Sequence, residues 1–185
     1  MCKNFFKHLH TINKHRRLVR KYCFKCGLIK RGLLHDLSKY SFEEFFPSCK
    51  YYLGYKSPTV AERMNNGYSK IWLHHKGRNK HHPEYWVDFN NDTKKYETVM
   101  MPKEYLIECF CDRIAASKVY LKEKYTDSAP LEYHLNKDDY LPIHPTTKKQ
   151  LIFLLTMIKD KGEKETFKYI KDNYKNEDFL KYYKN

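Results

Sequence analysis

Apolar and weakly polar residues recur every three or four positions in several separate segments of the sequence. In the first of these segments the recurring residues are Ile12, His15, Val19 and Cys26, and the pattern stops at Gly27. This spacing is that of an amphipathic α-helix, and glycine is common immediately after a helix end. We find no ladder of alternating strands. The pattern predicts an all-α protein, a helical bundle of about six to eight helices.

Two further helix starts are marked by their first residues. Residues 41–44 read Ser-Phe-Glu-Glu, a capping box that predicts a helix beginning after Ser41 and kinked near Pro47. The pair Ser57-Pro58 predicts the start of one helix whose apolar face continues to His75.

The rest of the chain divides into helices and connections. Pro102 predicts the start of a strong helix, and two final helices are predicted at 148–159 and 164–174, on either side of Gly162. Residues 87–101 have turn composition and little periodicity, which predicts a mobile loop. Residues 127–145 are expected to be a polar connection.

A length of 185 residues suits one domain with a continuous core. We therefore expect residues 1–185 to form a single domain. Within it, the metal-site core would cover about residues 8–120, and C-terminal packing helices would cover about 145–175.

The formal net charge of +14 favours an anionic partner. A small phosphate-containing substrate fits this charge. Nucleic acid is possible but not favoured, because the basic residues are scattered over all the predicted helices instead of forming one stripe. The charge therefore indicates an anionic partner without identifying it. The sequence does not indicate the oligomeric state.

The location of the protein is predicted from its apolar stretches and its cysteines. No stretch approaches the roughly 18 apolar residues of a membrane span, and the first fifteen residues lack the apolar run of a signal peptide. We expect a cytoplasmic protein with no membrane partner. Its six cysteines are then expected to be reduced, and Cys23 and Cys26, which share a helix face with Val19, to pack in the core.

Side chains able to bind a divalent metal follow one another in a fixed order. Imidazole and carboxylate groups suit Mn, Fe, Co, Ni or Zn, with Mg possible, and mixed sites leave positions for water and substrate. The series therefore predicts one or two divalent metal ions. It consists of His15, His35-Asp36, His74 and His75, His81-His82, and Asp112.

Helical periodicity separates the members of this series. His15 and Asp112 fall on the inner faces of their helices, where an isolated carboxylate would be costly to bury without a cation or hydrogen-bond donors. His75 extends an apolar face, whereas His74 lies about 100° away around the helix. We therefore predict His75 as a ligand and His74 as a residue that hydrogen-bonds near the ligands.

The His35-Asp36 doublet lies in a short predicted helix, next to expected buried leucines at 33, 34 and 37. Adjacent side chains diverge by about 100° on a helix. Both can reach one cluster only if the helix end points at it, or if the carboxylate bridges two ions. In the bridged arrangement Asp36 joins an ion held by His15, His35 and Asp112 to a second ion held by His75, His81 and His82.

The chain resembles the HD superfamily of metal-dependent phosphohydrolases, whose pattern is a first His, a His-Asp doublet and a later Asp on helices. The resemblance covers about residues 8–120, and the string from His75 to Trp86 is also similar to that of a small, functionally uncharacterised bacterial and phage family within this group. Extra histidines between the doublet and the last Asp occur in the two-metal branches. The matching residues are His15, His35-Asp36 and Asp112, with His75, His81 and His82 in the interval.

The resemblance implies an HD-type fold and a phosphomonoesterase or phosphodiesterase that cleaves a nucleotide or other small phosphoester with a metal-activated water. Asp36 and Lys39 are the predicted catalytic residues, and Lys39, Arg78 and Asn79 are the predicted substrate contacts. Two alternatives stay open. One is a di-iron oxygenase, as in a minority branch of the same superfamily, and the other is a basic nucleic-acid-binding protein whose histidines are structural.

Overall fold

The computed structural model describes residues 4–136, 140–176 and 178–180. Helices form nearly all of the regular structure, so the predicted all-α class is confirmed. In chain order the elements are α1 (Phe5–Lys25), α2 (Ile29–Leu34), a 3-10 turn (Leu37–Tyr40), α3 (Phe42–Lys50), α4 (Pro58–Asn66), α5 (Lys70–Arg78), a 3-10 turn (Pro83–Tyr85), β1 (Val87–Asn90), β2 (Lys95–Thr98), α6 (Lys103–Leu121), a 3-10 turn (Lys122–Lys124), α7 (Ala129–Leu135) and α8 (Pro145–Asn173).

The main core lies between α1, α6 and α8. Tyr22 of α1 stacks on Phe167 of α8, and Phe110 of α6 packs beside the same ring. Helix α6 buries six consecutive residues, 106–111, which is typical of a helix enclosed on most sides. The side chains that α6 contributes to a site are therefore held by a rigid element. None of the described helices combines the length and the apolar composition that crossing a membrane would require.

Cys23 and Cys26 belong to this core. Both are free thiols with 1% exposure or less. The prediction that the pair packs in the interior is confirmed.

Residues 57–75 form two helices instead of the single helix that the sequence predicted. Helix α4 ends at Gly67, whose φ of +78° is in the left-handed region that glycine adopts without strain. Ser69 then begins α5: its hydroxyl donates to Glu62 Oε2 at 2.5 Å and accepts a backbone N–H of α5 at 3.0 Å. The helical spacing continues across Gly67 by coincidence, so periodicity did not reveal the break. His75 nevertheless keeps its inner position within α5.

The leucines beside the His35-Asp36 doublet are exposed, which corrects the prediction that they are buried. Leu33, Leu34 and Leu37 are between 45% and 49% exposed, whereas His35 and Asp36 are each 1% exposed. The reason is that α2 ends at Leu34 and the Asp36 backbone is left-handed. The helical period therefore does not continue through the doublet.

Two segments predicted as connections contain regular structure. Strands β1 and β2 pair antiparallel, with Val87 opposite Thr98, in place of the predicted loop. Each strand has four residues and no alternating burial, so the sequence carries no strand pattern. Helix α7 lies within the predicted 127–145 connection, of which residues 137–139 lie outside the described part of the chain. Its second residue is Pro130, and proline is favoured in the first turn of a helix.

The C-terminal helical region begins at Pro145, slightly earlier than predicted. The backbone of α8 departs from helical geometry at Gly162, where φ is +74°. This is the position at which the sequence predicted a boundary between two helices.

Gly32 allows α2 to approach α1 closely. A Cβ at this position would lie 2.9 Å from Cys23 Cβ and 3.2 Å from Arg20 Cα. We expect Gly32→Ala to lower the free energy of unfolding by about 1–3 kcal/mol, because the backbone of α1 would have to move. Gly77 has open space around the position of a Cβ, so Gly77→Ala should raise the free energy of unfolding by about 0.5–1 kcal/mol. Urea unfolding at fixed metal concentration measures the change in the free energy of unfolding for both variants. A stabilising effect of Gly32→Ala would contradict the close contact between α1 and α2.

Candidate metal centre

The seven predicted metal ligands meet at one place inside the bundle. Helices α1, α5 and α6 and the segments that follow α2 and α5 each contribute to it. The side chains form two groups, and within each group the ligand atoms lie within 4.8 Å of one another. The first group is His15, His35, Asp36 and Asp112, and the second is Asp36, His75, His81 and His82.

The first group is compact enough to surround one ion. His15 Nε2 lies 2.9 Å from Asp112 Oδ1, and His35 Nε2 lies 3.2 Å from Asp36 Oδ2. The two imidazole Nε2 atoms are 3.3 Å apart. Ligands held at about 2.0–2.2 Å from a metal ion in tetrahedral or octahedral geometry are roughly 3–3.5 Å from one another. The spacing of these atoms therefore fits a divalent ion.

The second group uses the other oxygen of the same aspartate. His75 Nε2 lies 3.4 Å and His81 Nε2 lies 3.5 Å from Asp36 Oδ1. The His82 ring is close to both, with centroid distances of 4.8 Å to His75 and 4.1 Å to His81. Asp36 thus presents Oδ2 to the first group and Oδ1 to the second. A carboxylate in this arrangement could bridge two ions.

A left-handed turn gives Asp36 this position. Its φ of +54° is uncommon outside glycine, although aspartate tolerates it better than most residues. Arg16, next to His15 on α1, donates from Nε to the His35 carbonyl at 2.8 Å and from Nη2 to the Leu33 carbonyl at 3.1 Å. The Arg16 guanidinium therefore hydrogen-bonds to the carbonyl groups at the end of α2 and stabilises the turn at Asp36.

Several buried atoms of the two groups have no hydrogen-bond partner in the described residues. They are Asp36 Oδ1, His81 Nε2 and His82 Nε2. Burial and the neighbouring His81 and His75 lower the pKa of His82 well below its usual value, so that its imidazole is neutral and able to ligate. Burial alone would raise the pKa of Asp36, but His35 and Lys39 hold it well below its usual value. An unpaired, ionised Asp36 carboxylate and an unpaired, neutral His82 imidazole fit a metal ion, and the two groups could hold two.

Glu108 orients one histidine of each group. Its Oε1 lies 2.9 Å from His35 Nδ1 and 3.2 Å from His81 Nδ1. A neutral ring that donates from Nδ1 to this carboxylate has a free Nε2 lone pair facing Asp36. Burial alone would lower the pKa of His35, but Asp36 and the hydrogen bonds to the neighbouring carboxylates raise it well above its usual value, so an ion bound here would displace a proton from His35. Burial alone would raise the pKa of Glu108, but the hydrogen bonds from His35 and His81 lower it to about 2. One ionised carboxylate therefore positions ligands of both groups.

Glu44 has the corresponding role for α5. Its Oε2 lies 2.8 Å from His75 Nδ1, and its Oε1 lies 2.7 Å from His74 Nδ1. His74 thus hydrogen-bonds beside the ligands, as its place on the helix predicted. Only half of the predicted capping box is present: Ser41 Oγ accepts the Glu44 N–H at 3.3 Å. The Glu44 side chain contacts the two histidines instead of returning to Ser41, because the Nδ1 atoms of His74 and His75 lie within its reach.

The three predicted substrate contacts occupy different surroundings. Lys39 Nζ lies 2.7 Å from Asp36 Oδ2, and 31% of its side chain is exposed. Asn79 is buried, and its amide donates to Ser38 Oγ and to the His75 carbonyl, both at 2.8 Å. Arg78 is exposed at the end of α5. The structure therefore brings Lys39 to the ligands, whereas the Asn79 amide is used in internal hydrogen bonds.

Sequence reasoning missed Arg16, Glu44 and Glu108 as parts of this site. A signal for Glu108 was present, because it precedes Asp112 by one helical turn and shares its inward side of α6. Glu44 and Arg16 carried no such signal, since their partners lie on other helices.

Comparison with curated proteins and with solved structures found no match to the chain. A family model described as "Family of unknown function (DUF5662)" matches residues 4–157. The matched region contains every residue of the two ligand groups, as well as Glu44 and Glu108. The chain belongs to this family.

Proposed function

We propose that the protein is a metal-dependent phosphohydrolase of the HD type that cleaves a nucleotide or other small phosphoester at a dinuclear centre. The observation that carries the proposal is the division of Asp36 between two groups, with Oδ2 facing His15 and His35 and Oδ1 facing His75 and His81. The order of these residues along the chain is that of the superfamily the sequence resembles. A net charge of +14 suits an anionic substrate.

The chain supplies a protonated amine beside this centre. Two bound divalent ions would provide Lewis acidity and a water of lowered pKa. Burial alone would lower the pKa of Lys39, but Asp36 and Asp112 raise it, so the ammonium stays charged at neutral pH. A partly exposed ammonium group at this position can offset the negative charge that develops on phosphoryl oxygens. Lys39 therefore acts on the substrate and Asp36 acts on the ions.

Phosphate release tests the proposal. The purified protein, loaded in turn with Mn, Co, Ni, Zn, Mg or Fe, is assayed against a panel of phosphomonoesters and phosphodiesters. We expect Lys39→Gln to lower kcat about 100-fold or more, because a charge-stabilising donor is removed, while most of the metal is retained. Lys159→Gln, an exposed site on α8, is the matched control and should keep full activity. Inactivity of the fully metal-loaded wild type on the whole panel would contradict the proposal.

Further measurements on the same purified protein test the two alternatives. A protein that releases no phosphate but retains iron and consumes oxygen would support the di-iron oxygenase, for which two ions bridged by Asp36 are equally suitable. Metal-independent binding of duplex or single-stranded nucleic acid at physiological salt would support the third hypothesis.

A further inference from the structure

A cavity of about 330 Å³ lies beside the metal centre, between α2, the end of α5 and α6. It is lined by Arg31 of α2, by Arg78 and Lys80 around the end of α5, and by Tyr105 and Glu108 of α6. The volume is large enough for a small polyatomic ion with its hydration water. The kind of ion that could occupy the cavity is decided by its lining.

The cavity is separate from the metal-facing side of the ligands. Among the members of the two ligand groups in the described chain, His81 alone lines it. The cavity also reaches Glu108, which contacts the Nδ1 atoms of His35 and His81, whereas the Nε2 atoms of these rings face Asp36. An ion in the cavity would thus lie behind Glu108.

Two of the three cationic side chains of the cavity have no carboxylate partner within the described residues. Arg78 and Lys80 have no carboxylate ion-pair partner there, and Lys80 Nζ lies over the Tyr85 ring at 5.5 Å. Arg31 stacks over Tyr105 at 4.8 Å and forms an ion pair with Glu108, in which Nη1 is 3.7 Å from Oε2, too long for a hydrogen bond. Three cations face one carboxylate, so the cavity attracts an anion.

Glu108 adds a requirement for a hydrogen-bond donor. Its Oε1 is occupied by His35 and His81, but its buried Oε2 has no hydrogen-bond partner among the described residues. An anion that carries a proton can donate to this oxygen, whereas a fully deprotonated anion cannot. Hydrogen phosphate has a P–OH group at neutral pH, whereas sulfate has none.

We propose that this cavity binds inorganic phosphate in its protonated form, with Arg31, Arg78 and Lys80 contacting its oxygens and its P–OH donating to Glu108 Oε2. The inference goes beyond the proposed hydrolase and does not depend on it. The cations and the unpaired oxygen are present whether or not the chain cleaves phosphoesters.

The two tryptophans allow the cavity to be observed separately from the metal centre. Trp86 donates its indole N–H to the Lys80 carbonyl at 2.7 Å and lies 5.6 Å from the Tyr105 ring. The Trp72 ring lies 4.7 Å from the ring of His82, which belongs to the second ligand group. In a Trp72→Phe background, Trp86 is the only tryptophan of the chain.

The test is a titration of the metal-loaded Trp72→Phe protein with inorganic phosphate, followed by Trp86 fluorescence and by calorimetry. We expect saturable binding whose Kd rises about tenfold with added Lys80→Gln or Arg31→Gln, since each change removes a charged hydrogen bond. Lys159→Gln is the matched control and should leave the Kd unchanged. Sulfate should bind about tenfold more weakly than phosphate, because it leaves Glu108 Oε2 unpaired.

Two results would overturn the proposal. One is the absence of saturable phosphate binding by both measurements. The other is binding whose Kd is the same in Lys80→Gln and Arg31→Gln as in the parent protein, which would place the phosphate at the metal ions instead. Equal affinity for sulfate and phosphate would remove the role assigned to Glu108. None of these results depends on turnover, so they are independent of the phosphohydrolase assay.

Discussion

Asp36→Ala is expected to remove both metal ions, whereas His82→Ala is expected to remove one. Asp36 is the one residue shared by the two ligand groups, and each of its oxygens lies within 3.5 Å of two histidines. Its loss leaves both groups without their common carboxylate and leaves Lys39 without its partner at 2.7 Å. His82 belongs to the second group alone, so its loss should not disturb the ion that His15 and Asp112 would hold.

Metal content per chain, measured after reconstitution and extensive dialysis, tests this expectation. The wild type should retain about two equivalents, His82→Ala about one and Asp36→Ala close to none. His10→Ala, on the exposed side of α1, is the matched control and should retain the wild-type content. Circular dichroism of each variant shows whether the fold persists. Unchanged metal in both Asp36→Ala and His82→Ala would show that the assignment of ligands is wrong.

The helical pattern was sufficient to place His15, His75 and Asp112, the three candidate ligands that lie on helices, on the sides that face the candidate centre. Periodicity selected His75 over His74, and the structure buries 95% of the His75 side chain and leaves 16% of the His74 side chain exposed. This prediction survived an error about α4 and α5, because the choice depends only on the residues within α5. Short-range spacing therefore indicates which residues face inward as long as they lie within one continuous helix, which is why it failed for the leucines at 33, 34 and 37, where α2 ends at Leu34.

The position of Asp36 could not be predicted from local sequence patterns. Adjacency to His35 indicated that the two side chains diverge, and hence that Asp36 could bridge, but it did not indicate a left-handed turn. That turn depends on Arg16, which reaches across from α1 to the carbonyls at the end of α2. Contacts between residues far apart in sequence are invisible to periodicity, and for the same reason Glu44 was interpreted only as part of a cap.

Glu108→Gln is expected to weaken both metal sites, whereas Glu44→Gln is expected to weaken only the second. Glu108 contacts His35 of the first group and His81 of the second, while Glu44 contacts His75 of the second group and His74. Glutamine keeps the shape of glutamate but loses the charge that fixes the two Nδ1 protons. Removal of such a carboxylate typically lowers metal affinity about 10–100-fold.

Competition with a chelator of known affinity measures this difference, because it gives a dissociation constant for each bound ion. Glu104→Gln lies one turn before Glu108 on α6, outside both ligand groups, and serves as the matched control. If Glu108 acts only by packing, Glu108→Gln should change stability but leave both dissociation constants near those of Glu104→Gln. If it orients the ligands, both constants should rise together, and Glu44→Gln should raise one alone. A rise confined to one ion in Glu108→Gln would show that the carboxylate serves only one of its two histidines.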